Sequence, residues 1–439
     1  MATQPQTAAQ TGPQGSLYSF FAPGGVLAQA HPEYEFRRGQ LQMAEAVEQA
    51  LKEKRHLIVE AGTGTGKTLA YLLPVIRSGK RVIISTGTKN LQEQLFHKDI
   101  PFLERVLYPN GGGKLRVCYM KGRNNYLCRQ KLYDLTSQPV LTGLQEVEQY
   151  RSIADWEQGT ETGDRAEIAA LPESSALWQK LDARTERCTG SKCIQWERCF
   201  ITEMHRRALE SDIIIVNHHL FFADLAIKQS SDGAPDAGIL PEATAVIFDE
   251  AHELEDVAGS YFAVSASNTR FDELARDVET TLRIKKSLPA GVLNACASLR
   301  ERSQFFFALI PPGEGRFAFQ NRCGFLEENG EEYLSVLSAL ARLTAELEMM
   351  ESKPEEVFNF LRRIGELRAC LSFVLESKDK NTVFWIERRP AGGMRGRSGP
   401  QNVFLQATPI DVSPILRQAL FENFETVVLT SATLAVSGG

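Results

Sequence analysis

The chain has 439 residues, a hydrophobic content of 43%, a charged content of 24% and a formal net charge of -6. These values are typical of a soluble globular protein with more than one domain. No apolar run approaches the roughly 20 residues of a membrane span, and the N-terminus lacks the pattern of a secretory signal. We therefore expect a cytoplasmic protein without a membrane partner, whose eight cysteines are thiols or metal ligands.

The first quarter of the chain predicts a disordered tail and then a glycine-rich loop. Residues 1–15 are polar and aperiodic. In RHLIVEAGTGTGKTLAYLLPVI, an apolar strand precedes the loop Ala61–Thr68 and a helix follows it, with Ala61 where the phosphate-loop pattern usually has glycine. Lys67 can reach the β- and γ-phosphates of a nucleotide and Thr68 can hold Mg²⁺, which disfavours a chance glycine-rich turn. The backbone N–H groups expected to converge on phosphate are those of Gly62, Thr63, Gly64, Thr65 and Gly66.

A second chemical signal follows the apolar run in ATAVIFDEAHELED. Asp249 and Glu250 come at the carboxyl end of a predicted buried strand, where a doubly wound sheet places its ligands. We predict that Asp249 holds Mg²⁺ and that Glu250 orients and deprotonates the attacking water. His252 is predicted to sense the γ-phosphate or to couple the site to a neighbouring domain. A merely solvated strand end is the alternative, and the upstream loop disfavours it.

Further apolar runs predict an α/β fold with a RecA-like parallel sheet. They have no proline and are rich in β-branched residues, as buried parallel strands are, and they cover residues 81–86, 115–120, 212–217 and 425–430. Thr86, Thr88 and Lys89 follow one of these runs and suit contacts to a nucleic-acid backbone, although a helix cap explains them equally well. LTSATL, at 429–434, is predicted to couple the phosphate site to the strand-binding surface.

Four cysteines stand in a basic setting. Cys188, Cys193 and Cys199 are separated by four and five residues, and Cys128 lies some sixty positions upstream. Thiolates suit an iron–sulfur cluster and zinc alike, while unliganded structural thiols fit this polar stretch least. Residues 114–134 hold six Lys/Arg against one acid, and residues 180–207 hold seven against four.

This local charge predicts a surface for single-stranded DNA. Tyr126, Trp196 and Phe200 would stack on bases while the cations neutralise phosphates. We expect charge reversal at Lys121 and Arg123 to weaken DNA binding. For each aromatic residue taken separately, packing around the cysteine site is at least as good an explanation.

A largely helical insertion is predicted between the acidic-pair strand and the last strand. Apolar residues recur every three or four positions over 271–288, 291–310, 331–352 and 354–377. VFWIERRPAGG and VFLQATPIDVSP then predict a hairpin that leads back to the sheet, and GGMRGRSG predicts a mobile basic loop between its arms.

In this order, the motifs resemble those of the superfamily 2 helicases of the iron–sulfur group, which includes XPD and the bacterial DinG-like enzymes, with the YoaA branch the nearest. The matching stretches include EAGTGTGKT, ISTGTKNLQEQL, YMKGRNNYLC, RCTGSKCIQWERCF, VIFDEAHELED and VVLTSATL, and they span nearly all of residues 20–434. The resemblance implies a [4Fe–4S] cluster on Cys128, Cys188, Cys193 and Cys199. It also implies adenine recognition by Arg37 and Gln40, which otherwise read as the polar face of an amphipathic helix.

The resemblance further implies an ATP-dependent DNA helicase that translocates 5′-to-3′ on single-stranded DNA, in repair or replication. Duplex junctions are expected as substrates, and a replication or repair protein as a partner. We expect a second motor domain to be absent and this chain alone to be inactive. The alternative is a catalytically incomplete DNA- or partner-binding fragment. The expected organisation is a disordered tail (1–15), motor domain 1 in three parts (16–114, 206–256, 405–439), an iron–sulfur insertion (115–205) and an arch (257–404).

Overall fold

The structure is a computed structural model that describes residues 15–31, 33–111, 113–137, 143–172, 174–185, 188–230, 238–389 and 402–434. Nearly all of the predicted disordered tail, and the predicted basic loop at 392–399, lie outside these residues. The chain divides into two compact units. The first comprises residues 1–182, 197–261 and 412–439, and the second comprises residues 183–196 and 262–411.

The helices and strands are numbered here in chain order. The strands are β1 Leu57–Glu60, β2 Val82–Thr86, β3 Val117–Tyr119, β4 Ile213–Asn217, β5 Ala245–Asp249, β6 Val264–Ser267, β7 Gly315–Ala318, β8 Thr382–Arg389, β9 Asn402–Pro409 and β10 Thr426–Ser431. The helices are α1 Leu17–Phe21, α2 Val26–Ala30, α3 Arg38–Glu53, α4 Lys67–Ser78, α5 Lys89–Gln94, α6 Ile100–Leu107, α7 Arg129–Ser137, α8 Leu144–Glu157, α9 Ala176–Leu181, α10 Phe200–Leu209, α11 His218–Ser230, α12 Leu254–Tyr261, α13 Asn268–Ile284, α14 Ala290–Leu309, α15 Arg322–Glu328, α16 Gly330–Glu348, α17 Glu356–Glu376 and α18 Ser413–Leu416. None of the helices described is long and apolar enough to span a membrane.

The first unit is organised by a six-stranded parallel sheet in the order β1-β10-β5-β2-β4-β3. Every residue of β2, β4 and β5 is buried, as expected for central strands covered on both faces. All the apolar runs predicted as strands of the motor domain belong to this sheet, so the RecA-like fold is confirmed. The carboxyl ends of β1, β10 and β5 lie side by side, because β10 pairs with both of the others.

Beside β3, the first unit has a smaller hydrophobic cluster of its own. Leu127, Leu132, Ile153, Trp178 and Phe200 are among its buried members. Two isolated bridges, Tyr126 with Asp164 and Leu127 with Asp182, tie its segments together. Residues of the predicted iron–sulfur insertion form this cluster, and the boundaries of that insertion stay a prediction.

The second unit combines helices with a four-stranded antiparallel sheet in the order β6-β9-β8-β7. Helices α13, α14, α16 and α17 occupy the four predicted helical stretches and share one large buried core with the sheet. The predicted hairpin is present as β8 and β9, but it pairs with β6 and β7 and not with the parallel sheet. After β9 the chain returns through α18 to β10 of the parallel sheet, as predicted, whereas β6 and β7 are too short to be recognised from their sequences.

The second unit also includes residues 183–196, which carry two of the four predicted cysteine ligands. Lys192 forms an ion pair of 2.6 Å with Glu355, beside the start of α17. The Asn359 side-chain amide of α17 donates to the Cys188 carbonyl oxygen at 2.8 Å. These contacts fix the 183–196 segment on the N-terminal turn of α17.

Candidate functional site

The side chains predicted for the nucleotide site come together at one edge of the parallel sheet. Residues 61–66 connect β1 to α4, the Asp249 carboxylate ends β5, and Ser431 ends β10. The Ala61 N–H donates to the Ser431 carbonyl oxygen at 3.0 Å, so the loop starts as an extension of the β1–β10 pairing. Because parallel strands all present their carboxyl ends to one edge, residues that are distant in the chain meet here. Tyr71 and Asp249, for example, are 178 positions apart and share a hydrogen bond.

The loop has the backbone shape that a phosphate requires. Gly64 and Gly66 have φ values of 80° and 78°, in the left-handed region that residues with a Cβ rarely adopt. Gly66 immediately precedes α4, so the unpaired N–H groups of the first turn of α4 face the loop cavity. The Thr65 hydroxyl donates to the Gly62 carbonyl oxygen at 2.8 Å and tightens the turn. This arrangement fits an oxyanion at the N-terminus of α4.

Lys67 is held within the site and lies close to the acidic pair. Its ammonium donates to the Ala61 carbonyl oxygen at 3.2 Å and lies 4.0 Å from Glu250 Oε1. The Lys67 side chain is 11% exposed and that of Glu250 is 26% exposed, so both can reach a ligand in the loop. In this geometry the Glu250 carboxylate is the anionic neighbour of the Lys67 ammonium.

Asp249 is buried, and both of its carboxylate oxygens accept a hydrogen bond. Oδ1 accepts from the Glu250 N–H at 3.0 Å and Oδ2 accepts from the Tyr71 hydroxyl at 3.0 Å. Burial raises the pKa of Asp249, and the hydrogen bond from Tyr71 partly offsets this rise. The sequence analysis gave Tyr71 no role, although its position three residues after Thr68 places both on one face of α4.

The Glu250 backbone adopts a conformation that is unfavourable for a glutamate. Its φ of 58° and ψ of 47° are left-handed, a state held against its intrinsic cost by the surrounding structure. The turn directs its carboxylate toward His252 and Ser431. His252 Nδ1 lies 2.8 Å from Ser431 Oγ and 3.4 Å from Glu250 Oε2. The hydroxyl cluster predicted from LTSATL thus reaches the acidic motif directly.

Arg37 and Gln40 both donate to carbonyl oxygens of the glycine loop. The Arg37 guanidinium donates to Gly64, and the Gln40 amide donates to Gly66 at 3.0 Å. Gln40 is buried, and its Oε1 accepts from the Tyr34 hydroxyl at 3.2 Å. A Cβ on Gly66 would lie 2.2 Å from the Gln40 nitrogen, so any other residue there would displace the Gln40 side chain from the loop. Adenine recognition by Arg37 and Gln40 stays a prediction.

The threonine segment after β2 is held by helix capping. The Thr88 hydroxyl accepts from the Leu91 N–H at 3.3 Å and caps α5, as one of the two predicted explanations requires. Thr86 is buried and its hydroxyl donates to the Thr88 carbonyl oxygen at 3.2 Å. The Lys89 ammonium lies 3.0 Å from Asn125 Oδ1. A DNA contact by these residues stays a prediction.

The four predicted cluster ligands are half-buried cysteines. Cys128 and Cys199 belong to the first unit and Cys188 and Cys193 to the second. Within the described ranges, no group of three or more His, Cys, Asp or Glu residues is placed to hold a metal ion. The four-cysteine site therefore stays a prediction.

The other four cysteines lie mostly in apolar or helical stretches of the sequence, which predicts that they are ordinary packing residues: Cys118, Cys296, Cys323 and Cys370. Cys118 in β3 and Cys296 in α14 are buried. Burial raises the pKa of the Cys118 thiol to about 11 and that of Cys296 to about 12, so both remain protonated. Cys323, in contrast, is exposed at the start of α15, so the packing interpretation was wrong for this residue.

Part of the predicted DNA surface is buried. Lys121 is 3% exposed, and its ammonium lies 2.8 Å from carboxylate oxygens of both Glu93 and Asp164. Tyr126 and Phe200 are buried too, and the Tyr126 hydroxyl accepts from the Lys121 N–H at 3.1 Å. The packing alternative is therefore correct for both rings, and Lys121 was wrongly assigned to the surface. Of the three aromatics, Trp196 retains an exposed face.

Comparison with known proteins agrees with this geometry. A family profile described as DEAD/DEAH box helicase matches residues 40–145. The chain is 31% identical to the ATP-dependent DNA helicase YoaA of Haemophilus influenzae, covering 97% of this chain and 64% of that protein. It is 28% identical to the ATP-dependent helicase DinG of Mycobacterium tuberculosis, covering 92% of this chain and 60% of that protein.

The chain thus spans less than two thirds of the length of either relative. Among solved structures, one titled XPD_Helicase matches with a TM-score of 0.44 and 14% identity, over 92% of this chain and 59% of that one. The sequence matches to YoaA and DinG confirm the predicted resemblance to the DinG-like helicases and their YoaA branch.

Proposed function

We propose, on the premise that this chain is a homologue of the YoaA and DinG helicases, that it forms the first motor domain of an ATP-dependent DNA helicase. The helicase would translocate along single-stranded DNA in the 5′-to-3′ direction and act at junctions with duplex, in repair or replication. The observation that carries the proposal is the meeting of Lys67, Asp249, Glu250 and Ser431 beside a glycine loop that fits phosphate.

Each residue of the site has a role that its geometry supports. The α4 N-terminus and the Lys67 ammonium would bind the β- and γ-phosphates, because both carry positive charge into one small cavity. Thr68 and Asp249 would hold Mg²⁺, which neutralises phosphate charge when bound. Glu250 would orient the attacking water and accept its proton.

His252 and Ser431 would connect the acidic motif to β10. Nucleotide phosphate would compete with Glu250 for Lys67, since the two side chains now lie 4.0 Å apart. A change in the position of Glu250 would alter its contact with His252, whose Nδ1 is 3.4 Å from the Glu250 carboxylate. Through the bond to Ser431, the change reaches the strand that pairs with both β1 and β5.

The proposed cofactor of the iron–sulfur insertion is a [4Fe–4S] cluster on four cysteines: Cys128, Cys188, Cys193 and Cys199. The donor set fits such a cluster, since iron–sulfur clusters are held by four cysteine thiolates and none of these four cysteines is fully buried. The cluster has no part in the ATP chemistry described above. Metal analysis of anaerobically purified protein tests the assignment: about four irons with four sulfides per chain are expected. One zinc without sulfide would contradict the cluster and leave the nucleotide site standing.

Nucleotide binding tests the proposed function directly. We expect a fluorescent ATP analogue to bind this chain in the presence of Mg²⁺. Lys67→Ala should weaken that binding about 100-fold or more, because the largely buried ammonium lies within the loop, where it donates to the Ala61 carbonyl oxygen. Lys52→Ala, which removes an exposed lysine near the end of α3, is the matched control and should bind as the wild type does. Wild-type protein that binds no nucleotide, or equal binding by Lys67→Ala, would overturn the proposal.

DNA binding is measured with the same proteins. Single-stranded DNA should bind wild type and Lys67→Ala with the same affinity, because Lys67 faces the loop and not the DNA. Affinity should fall steeply with salt, as phosphate contacts require. Lack of binding to single-stranded DNA at low salt would contradict the DNA half of the proposal.

A further inference from the structure

Tyr71 is a fully buried residue that contacts Asp249, one of the two side chains expected to hold Mg²⁺. It lies on α4, three residues after Thr68, the other expected ligand, with its whole side chain inside the protein. Its hydroxyl donates to Asp249 Oδ2 at 3.0 Å. This hydrogen bond joins α4 to the carboxyl end of β5, 178 positions further along the chain.

The Tyr71 hydroxyl has an acceptor in the Asp249 carboxylate, to which it donates at 3.0 Å. The Tyr71 side chain is fully buried, and a buried hydroxyl without an acceptor is unfavourable. The hydrogen bond to Asp249 is therefore maintained by the fold of the first unit.

The bond also determines how Asp249 presents its carboxylate. Oδ2 accepts from Tyr71 and Oδ1 accepts from the Glu250 N–H at 3.0 Å. Each carboxylate oxygen has two lone pairs, so each retains one for a metal ion or a metal-bound water. With both oxygens held by donors of known position, the plane of the carboxylate is fixed. Outer donors of this kind orient metal ligands in proteins generally.

We propose that Tyr71 is a positioning residue that holds the Asp249 carboxylate in a fixed orientation for Mg²⁺. The inference rests on the proposed nucleotide function and specifies how its metal ligands are held. It makes Tyr71 an outer-sphere residue that itself touches neither metal nor nucleotide.

Tyr71→Phe removes the hydroxyl and leaves the ring that packs in the core of the first unit. The proposal predicts that this variant binds Mg²⁺ about tenfold more weakly when nucleotide is present, the usual effect of losing an outer donor. Nucleotide affinity measured without metal should be unchanged, because the phenol faces Asp249 and not the phosphate loop. A purely structural role would instead lower stability and both affinities together.

The matched control is Tyr333→Phe. Tyr333 lies in the second unit, is likewise buried, and bonds to the Glu376 carboxylate and, at 2.8 Å, to the Ser372 hydroxyl. Removing its hydroxyl deletes the same kind of bond far along the chain from the nucleotide residues. This control should lower the melting temperature about as much as Tyr71→Phe and leave metal affinity at the wild-type value.

The experiment titrates Mn²⁺ into ADP-loaded protein and follows free Mn²⁺ by electron paramagnetic resonance. ADP affinity without metal and the melting temperature are measured in parallel. Weaker Mn²⁺ binding by Tyr71→Phe alone, with metal-free ADP affinity unchanged, supports the inference. Equal Mn²⁺ affinity in Tyr71→Phe and wild type overturns it, and so does a loss of metal-free ADP binding together with stability. Wild-type protein that binds no Mn²⁺ with ADP contradicts the proposed function itself.

Discussion

Two groups of charged side chains in the first unit differ in exposure and in the distance between their partners: one lies beside the glycine loop and the other beside β3. At the carboxyl ends of β1, β5 and β10, Lys67, Glu250 and His252 are 11%, 26% and 44% exposed and are held at distances of 3.4–4.0 Å. Beside β3, Lys121 and Asp164 are 3% and 4% exposed and form an ion pair of 2.8 Å. The first region has loose, accessible pairs, and the second has close, desolvated pairs.

The difference separates charge kept for a ligand from charge used for the fold. A loose pair costs little to open, so phosphate can replace Glu250 as the partner of Lys67. A desolvated pair is costly to break, since each ion would be left buried without a counter-charge. Exposure and pair distance therefore distinguish the two roles, where residue type alone does not.

The comparison is tested most severely by Lys121→Met. This change leaves Asp164 buried without its cation and should lower the free energy of unfolding by about 3–5 kcal/mol. Chemical denaturation monitored by tryptophan fluorescence measures the change, because Trp156 and Trp178 lie in the hydrophobic cluster beside β3. DNA affinity of the protein that remains folded should be unaltered, since Lys121 is not on the surface.

Lys180→Met is the control for that prediction. Lys180 pairs with Glu146 at 2.9 Å, but its side chain is 44% exposed, and exposed pairs contribute only about 0–1 kcal/mol. Equal stability losses for the two variants would show that burial of the pair beside β3 has no special energetic consequence. The proposed distinction between the two regions would then fail.

A buried histidine, His218, lies at the carboxyl end of β4, at the same edge of the sheet as the glycine loop. His218 follows β4 and is fully buried, with Nδ1 2.7 Å from Ser85 Oγ. Burial lowers its pKa to about 4. The native state thus binds fewer protons than the unfolded state between pH 4 and about 6.5, so stability is lost as the pH falls through this window. The full contribution is about 3 kcal/mol.

His218→Asn should flatten the pH dependence of unfolding between pH 4 and 6.5 by about one proton. Burial raises the pKa of Asp99 to about 6, which acts in the opposite direction, but this term is common to wild type and variant. His31→Asn, the same substitution at an exposed position, is measured in parallel as the control. An unchanged slope for His218→Asn would mean that the imidazole titrates normally despite its burial.

The two regions also differ in how far they could be predicted from sequence. The glycine loop and the acidic pair are local patterns, and each strand of the parallel sheet is a short apolar run, so Lys67, Asp249 and Glu250 were identified correctly as neighbours. Tyr71 was missed because its ring fits the apolar face of α4, and its hydroxyl partner comes from a distant strand. The spacing of apolar residues along α4 predicts that the Tyr71 ring is buried, but it gives no information on the hydrogen bond to Asp249.

Beside β3, the sequence shows which residues are charged or aromatic but not whether their side chains face solvent or the interior. Lys121 and Tyr126 looked like a basic and aromatic surface, yet the Tyr126–Asp164 bridge brings a loop some forty residues later over both of them. The small strand β6 was missed for a related reason: its partner β9 lies about 140 residues further along the chain. Pairings of this range follow from the fold and have no local signature.

The smallest predicted effect concerns Gln40, which lies where α3 meets the glycine loop. Both ends of its amide are bonded to the protein, to Gly66 and to Tyr34, at 3.0 and 3.2 Å. Gln40→Leu should therefore weaken ATP and GTP binding by the same factor, about tenfold or less, because one hydrogen bond that shapes the loop is lost. Gln49→Leu, an exposed change on the same helix, is the control.

Competition binding with ATP and GTP distinguishes the two roles of Gln40. If Gln40 reads adenine, the variant should lose affinity for ATP and keep its affinity for GTP, so the ratio between the two would change. If Gln40 positions the loop, the ratio should stay constant while both affinities fall. A constant ratio would add a third kind of polar group to the accessible pairs beside the glycine loop and the desolvated pairs beside β3. This third kind is a buried side chain whose hydrogen bonds shape a ligand site without contacting the ligand. A changed ratio would require the Gln40 amide to leave Gly66 when nucleotide binds.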